Sequence, residues 1–131
     1  GNPLVTEIGY QNLKYIYKNK KKIFDYLENL SDYFEKSLNL FLEKKKLNLK
    51  VIRYYSILRI IYTKNIIKNK FDRQNKEENL SKKINQFQNF AANNGVYLSK
   101  RGAIFFSYSY TKKDVKYLID IISKGLFKFF R

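Results

Sequence analysis

Few kinds of side chain in this sequence can do chemistry. It contains no cysteine and no histidine. The first absence excludes disulfides and thiol catalysis. The second excludes an imidazole general base, Ser-His-Asp relays and ordinary zinc sites. What remains is 22 Lys, 5 Arg and 11 acidic residues. A lysine becomes a nucleophile only where burial lowers its pKa. Most of these lysines fall on helix faces that should be solvated, and none sits in a recognisable catalytic setting. The sequence therefore offers no catalytic residue and no metal ligand set.

The formal charge of +16 admits another kind of function, a basic module that binds nucleic acid or an acidic surface. Two features weigh against it. Lys outnumbers Arg 22 to 5, although Arg is the better reader of phosphates and guanines. The lysines are also scattered, at 20–22, 44–46, 82–83 and 112–113. Lys, Asn and Ile all have A/T-rich codons, so a low-GC genome would produce this bias without selection for binding.

The elements that must position any site follow from hydrophobic periodicity. The 131 residues suit one domain, and 44% hydrophobic content with 12 Tyr and 11 Phe can build a core. Pro3 opens a helix over 3–18, where its missing N–H costs nothing. Gly9 within it marks a close contact or a weak point. A second helix is expected over 20–46. There Ile23, Leu27, Leu30, Phe34, Leu38 and Phe41 form one stripe, and Asp25, Glu28, Asp32 and Glu35 should be wet. Residues 49–55 and 57–63 read as strands, either a hairpin or one bent strand around Ser56. The polar stretch 64–79 reads as a loop. A third helix holds Leu80, Ile84, Phe87 and Ala91 and ends at Asn94-Gly95. Residues 96–98 and 103–108 read as strands flanking a turn at 99–102. Thr111 to Asp114 resembles a capping box. Val115, Leu118, Ile119 and Ile122 face inward on the last helix, which Gly125 should stop or kink. The expected order is α-α-β-β-α-β-β-α. That is an α+β domain, with helices on a small, mostly antiparallel sheet of three to four strands. No apolar run reaches the length of about 20 residues that a membrane span needs. The N-terminus does not read as a signal peptide. A cytoplasmic location is the expectation.

Three short stretches point further. Gly1-Asn2-Pro3-Leu4 before an amphipathic helix resembles the segment that opens the C-terminal small domain of class III aminotransferases, which depend on pyridoxal phosphate. Asn94 to Leu98 resembles that family's late RGVYL strand. Ser107 to Val115 resembles its closing S-x-A-H-T-x-E-D-I stretch. The spacing of these stretches fits as well, so the resemblance covers nearly the whole chain. It is nearest to glutamate-1-semialdehyde aminomutase and to synthase-associated aminotransferase domains. Two departures stand out. Tyr110 replaces the family's His, and the turn 99–102 is short.

The resemblance implies that residues 1–131 form a single small domain that closes one side of an active-site cleft. The catalytic large domain, with its Schiff-base lysine, pyridinium partner and phosphate cradle, would lie upstream of Gly1 in the same protein. Pyridoxal 5'-phosphate would be held by the parent enzyme, a homodimer, and not by this chain alone. Gly1 and Asn2 would lie nearest the cofactor phosphate. Arg101 would face the cleft and meet a substrate carboxylate; read from composition alone, it is an exposed turn residue. A structural or carrier-docking domain inside a synthase is a further possibility. The resemblance also makes one sharp structural demand, a strand immediately after Gly95.

Overall fold

The computed structural model describes residues 1–99 and 102–131. Its first element, α1, is one helix from Pro3 to Lys44. At 1.5 Å per residue its 42 residues span about 63 Å. Asn2 caps it, accepting from Leu4 N–H at 3.0 Å, and Pro3 takes the first turn. Two helices were expected here. The break fails because Lys18-Asn19-Lys20 contains neither Gly nor Pro, and Lys propagates a helix well. Gly9 neither ends the helix nor makes a close contact among the described residues, since a Cβ there would meet nothing within 4 Å.

The helix ends in a left-handed residue that is not glycine. Lys46 has φ 54°. Its N–H bonds to Glu43 O at 2.9 Å, and Leu47 N–H bonds to Leu42 O at 3.0 Å, which together form a Schellman ending. Leu47 is buried there.

Strands β1 (Lys50–Tyr54) and β2 (Ile57–Ile61) form an antiparallel hairpin in which Tyr54 pairs with Ile57. Tyr55 and Ser56 make the turn, with Tyr55 at φ 51°, as tight hairpin turns require. A third strand, β3 (Ala103–Phe105), pairs antiparallel with β2, so the sheet order is β1-β2-β3. The free edge of β1 is closed by an amide from α1. Asn39 accepts from Val51 N–H at 2.7 Å and donates to Val51 O at 3.0 Å, filling the place of a neighbouring strand.

The stretch expected as a loop contains a helix, α2 (Lys70–Glu78), capped by Asn69. It buries no residue, so it leaves no hydrophobic period to read. Its support is polar: Asp72 with Lys76 at 3.2 Å and Arg73 with Glu77 at 3.5 Å, both one turn apart. Helix α3 (Ser81–Asn93) follows and closes at Gly95, φ 73°, with Val96 N–H on Ala91 O at 2.9 Å. The expected strand over 96–98 is absent: these residues join no ladder, although Val96 is buried. The sheet therefore has three strands among the described residues, and the order is α-β-β-α-α-β-α.

The last helix, α4 (Lys112–Phe130), carries the expected capping box. Thr111 Oγ1 accepts from Asp114 N–H, and the Asp114 carboxylate accepts from Thr111 N–H at 2.8 Å. Gly125 does not stop this helix. It lets α3 approach, since a Cβ there would lie 2.7 Å from the Phe87 ring and 2.9 Å from that of Phe90. The aromatic tail is therefore helical, and Phe130 packs on Tyr62 with ring centroids 5.1 Å apart.

One core ties these parts together. Phe34, Leu38 and Leu42 of α1 meet Val51, Leu58 and Ile60 of the hairpin and Val115, Ile122 and Leu126 of α4, with Phe87 from α3. Helices thus cover one face of the sheet, the α+β arrangement expected. Among the described residues, no helix is long and apolar enough to cross a membrane.

Candidate functional site

Two arginines on the hairpin show what each sheet face does. Side chains alternate along a strand, so Val51 and Arg53 face α1 while Lys50, Ile52 and Tyr54 face away. Arg53 sits among three carboxylates of α1. Its Nε donates to Glu35 at 2.9 Å, and its terminal nitrogens lie 3.4 Å from Asp32 and 3.5 Å from Glu28. It also donates to Tyr55 O at 3.0 Å. These acids were expected to be wet. Asp32 and Glu35 are half-buried because Arg53 draws them onto the strand. This cluster locks the hairpin to α1.

Arg59 lies on the other face, paired across the sheet with Ile52 and Ala103. Ile52, Tyr54, Ile57 and Phe105 around it are exposed. The face is uncovered where α2 does not reach. From α2, Glu77 approaches Arg59 at 3.5 Å, and the same carboxylate lies 3.5 Å from Arg73. One carboxylate therefore serves two guanidiniums. Burial, and next the charge of Arg73, pull the Arg59 pKa below its usual value against the opposing pull of Glu77. Beside it, burial pushes the Tyr62 phenol up, and Glu77 adds to that.

Arg59 borders two cavities. One, of about 370 Å³, includes Tyr62, Glu77, Ser81, Gln88 and Gly102 in its wall. The other, of about 480 Å³, runs between the outer sheet face and the segment entering α2.

The residues singled out in the sequence do not converge here. Gly1 and Asn2 sit at the tip of α1, and Asn2 is occupied by its cap. From Pro3 to Lys22 no residue is buried, a stretch of about 30 Å. Leu4, Val5, Ile8, Leu13 and Tyr17 are exposed along it. Arg101 lies outside the described residues. Sequence reasoning missed Arg59, Arg73 and Glu77. The available signal was a charge in the middle of the apolar run Ile57-Leu58-Arg59-Ile60-Ile61, from a residue type used only five times.

A pyridoxal phosphate site needs a buried lysine. Among the described residues Lys50 and Lys76 are half-buried and every other lysine is exposed. The described residues thus do not fit that cofactor on their own.

No family model and no curated relative matches the sequence. Solved structures do match the fold. A glutamate-1-semialdehyde aminomutase from Pseudomonas aeruginosa PAO1, in complex with PMP, aligns with TM-score 0.72 and 15% identity over 81% of this chain and 23% of that one. An omega-transaminase from Sphaerobacter thermophilus gives TM-score 0.73 and 15% identity over 85% of this chain and 25% of that one. A beta-phenylalanine aminotransferase from Variovorax paradoxus gives 0.63 and 14% over 76% and 23%. The chain spans about a quarter of the length of these enzymes. At such identities the likeness establishes a shared fold, the one implied by the resemblance in sequence. It holds although residues 96–98 form no strand.

Proposed function

We propose that this chain is the C-terminal small domain of a pyridoxal-phosphate-dependent aminotransferase or glutamate-1-semialdehyde 2,1-aminomutase-like enzyme, and that it closes one side of the active-site cleft. The observation that carries this reading is the pair of coverages. Four-fifths of this chain is matched by less than a quarter of the aminomutase. A domain needs a body to pack on, and the apolar side chains exposed along Pro3 to Lys22 provide the surface. In the parent, a homodimer, the large domain would hold the cofactor, which supplies an electron sink at the substrate carbon. This chain's part is to cover the site and exclude water from it. Gly1 and Asn2 would lie nearest the cofactor phosphate, and Arg101 would meet a substrate carboxylate.

The test is to read the coding sequence upstream of Gly1 and express the whole protein. A large domain with a cofactor lysine, and visible absorbance of bound pyridoxal phosphate that the 131-residue chain does not develop, is the expected result. An unrelated domain upstream, or no cofactor absorbance in the whole protein, overturns it.

A further inference from the structure

We propose that the groove between the outer sheet face and the segment entering α2 binds a small organic oxyanion, a carboxylate or phosphate carried on an apolar stem. The proposal does not rest on the parent enzyme's identity, because every residue it uses belongs to this chain.

The first argument is a count of charges. Arg53 has three carboxylates within 3.5 Å. Among the described residues, Arg59 and Arg73 share Glu77 alone, each at 3.5 Å, the outer limit for a hydrogen bond. Arg59 Nε is buried with no hydrogen-bond partner among the described residues, and Arg73 Nε, also buried, has only the long 3.5 Å approach to Glu77, which does not make a hydrogen bond. Buried polar groups left in this state call for an explanation. The nearby Asp72 does not supply one. Its carboxylate already accepts from Lys68 N–H at 3.2 Å and pairs with Lys76 at 3.2 Å.

The second argument is the shape and lining of the groove. Its volume of about 480 Å³ suits a small molecule. Lys50, Arg59, Lys68, Lys70 and Arg73 line it, and among the described residues no carboxylate does. Lys50 Nζ is held by the carbonyls of Lys64 and Asn65, at 3.3 and 3.2 Å, which fixes the loop that forms one wall. Ile52, Ile61 and Ile66 supply an apolar side, and Ile66 is 81% exposed. The Arg59 and Arg73 side chains keep 20% and 24% exposure, so an anion can reach their planar forks.

The experiment follows backbone amide resonances of the 131-residue chain during titration with hexanoate, hexyl phosphate, inorganic phosphate and 1-hexanol. Saturable shifts at Arg59, Ile61, Ile66 and Arg73 are expected from hexanoate or hexyl phosphate, whichever binds tighter naming the head group. Inorganic phosphate and 1-hexanol should bind at least about tenfold more weakly. Arg59→Lys keeps the charge and loses the fork, and should weaken binding about tenfold. Arg73→Gln lies on a helix with no buried residue, so it keeps the fold while testing the same site. Shifts that never saturate, equal binding of inorganic phosphate, or affinity unchanged in Arg73→Gln would overturn the proposal. So would an equal loss in a Lys82→Gln, Lys83→Gln control.

Discussion

From Ile23 to Lys44, α1 buries Ile23, Leu30, Phe34, Leu38 and Leu42, most of them in the core it forms with the hairpin and α4. From Pro3 to Lys22 the same helix leaves Leu4, Ile8, Leu13 and Ile16 in water. Both halves carry apolar residues near helical spacing, and no break separates them. A stripe reports that a partner is wanted, and it does not say whether the partner lies within the same chain. The second half finds its partner in the chain's own sheet. The first half extends about 30 Å beyond the last point where this chain covers it.

The largest effect that separates the halves is core truncation. Phe34 is fully buried and packs edge-on against Phe106 at 5.5 Å. Phe34→Ala should cost ~3–5 kcal/mol in chemical denaturation. Leu13→Ala, at a position 68% exposed, should change the stability of this chain by less than about 0.5 kcal/mol. An equal loss at both positions would mean that the first half has a partner within the chain or in a second copy.

Glycine sharpens the contrast at intermediate size. Gly125→Ala sets a Cβ 2.7 Å from a buried ring and should destabilise by about 1–2 kcal/mol, overpacking outweighing the gain in helix propensity. Gly9→Ala meets nothing and should stabilise by ~0.5–1 kcal/mol, read as a rise in helicity and melting temperature. If both substitutions stabilise, the close approach of α3 to α4 is wrong.

The smallest effect distinguishes the two helix caps by pH. α1 is capped by the neutral amide of Asn2, and α4 by the Thr111 hydroxyl in a box that the Asp114 carboxylate closes. Hydrogen bonds from Thr111 N–H and then from its hydroxyl hold the Asp114 pKa below the usual aspartate value. The group therefore binds its proton more readily when unfolded. Its stabilising contribution is complete above about pH 3.9 and is lost as pH falls through the lower folded-state value. Asp114→Asn should flatten the acid limb of stability against pH, whereas Asn2→Ala should shift stability equally at every pH. An unchanged acid limb in Asp114→Asn would show that the cap carboxylate is not the titrating group.

The same contrast explains what could be read in advance. Elements with a buried stripe or a capping signature were legible: the second half of α1, α3 up to Gly95, and the Thr111 box. The strands β1 and β2 were legible by residue type, but only the structure decided that they pair as a hairpin. Helix α2 was not, because it is held by Asn69 and paired charges and buries nothing. Residues 96–98 were β-like in type, yet a strand also needs a neighbour to pair with, and none is present among the described residues. Gly125 resembled a helix terminator because Gly is equally suited to a chain end and to a close crossing.

What the sequence determined by itself was local and chemical. The lack of Cys and His excluded whole classes of reaction, and periodicity with capping residues set most helix and strand identities. Tertiary structure alone decided which charges meet. Arg53 and Arg59 lie six residues apart on one hairpin, and both are arginines in β-branched surroundings. The pleat turns one toward three carboxylates of α1 and the other toward a shared one on α2. That difference depends on register and on packing between elements distant in the chain, neither of which a linear pattern of residue types encodes.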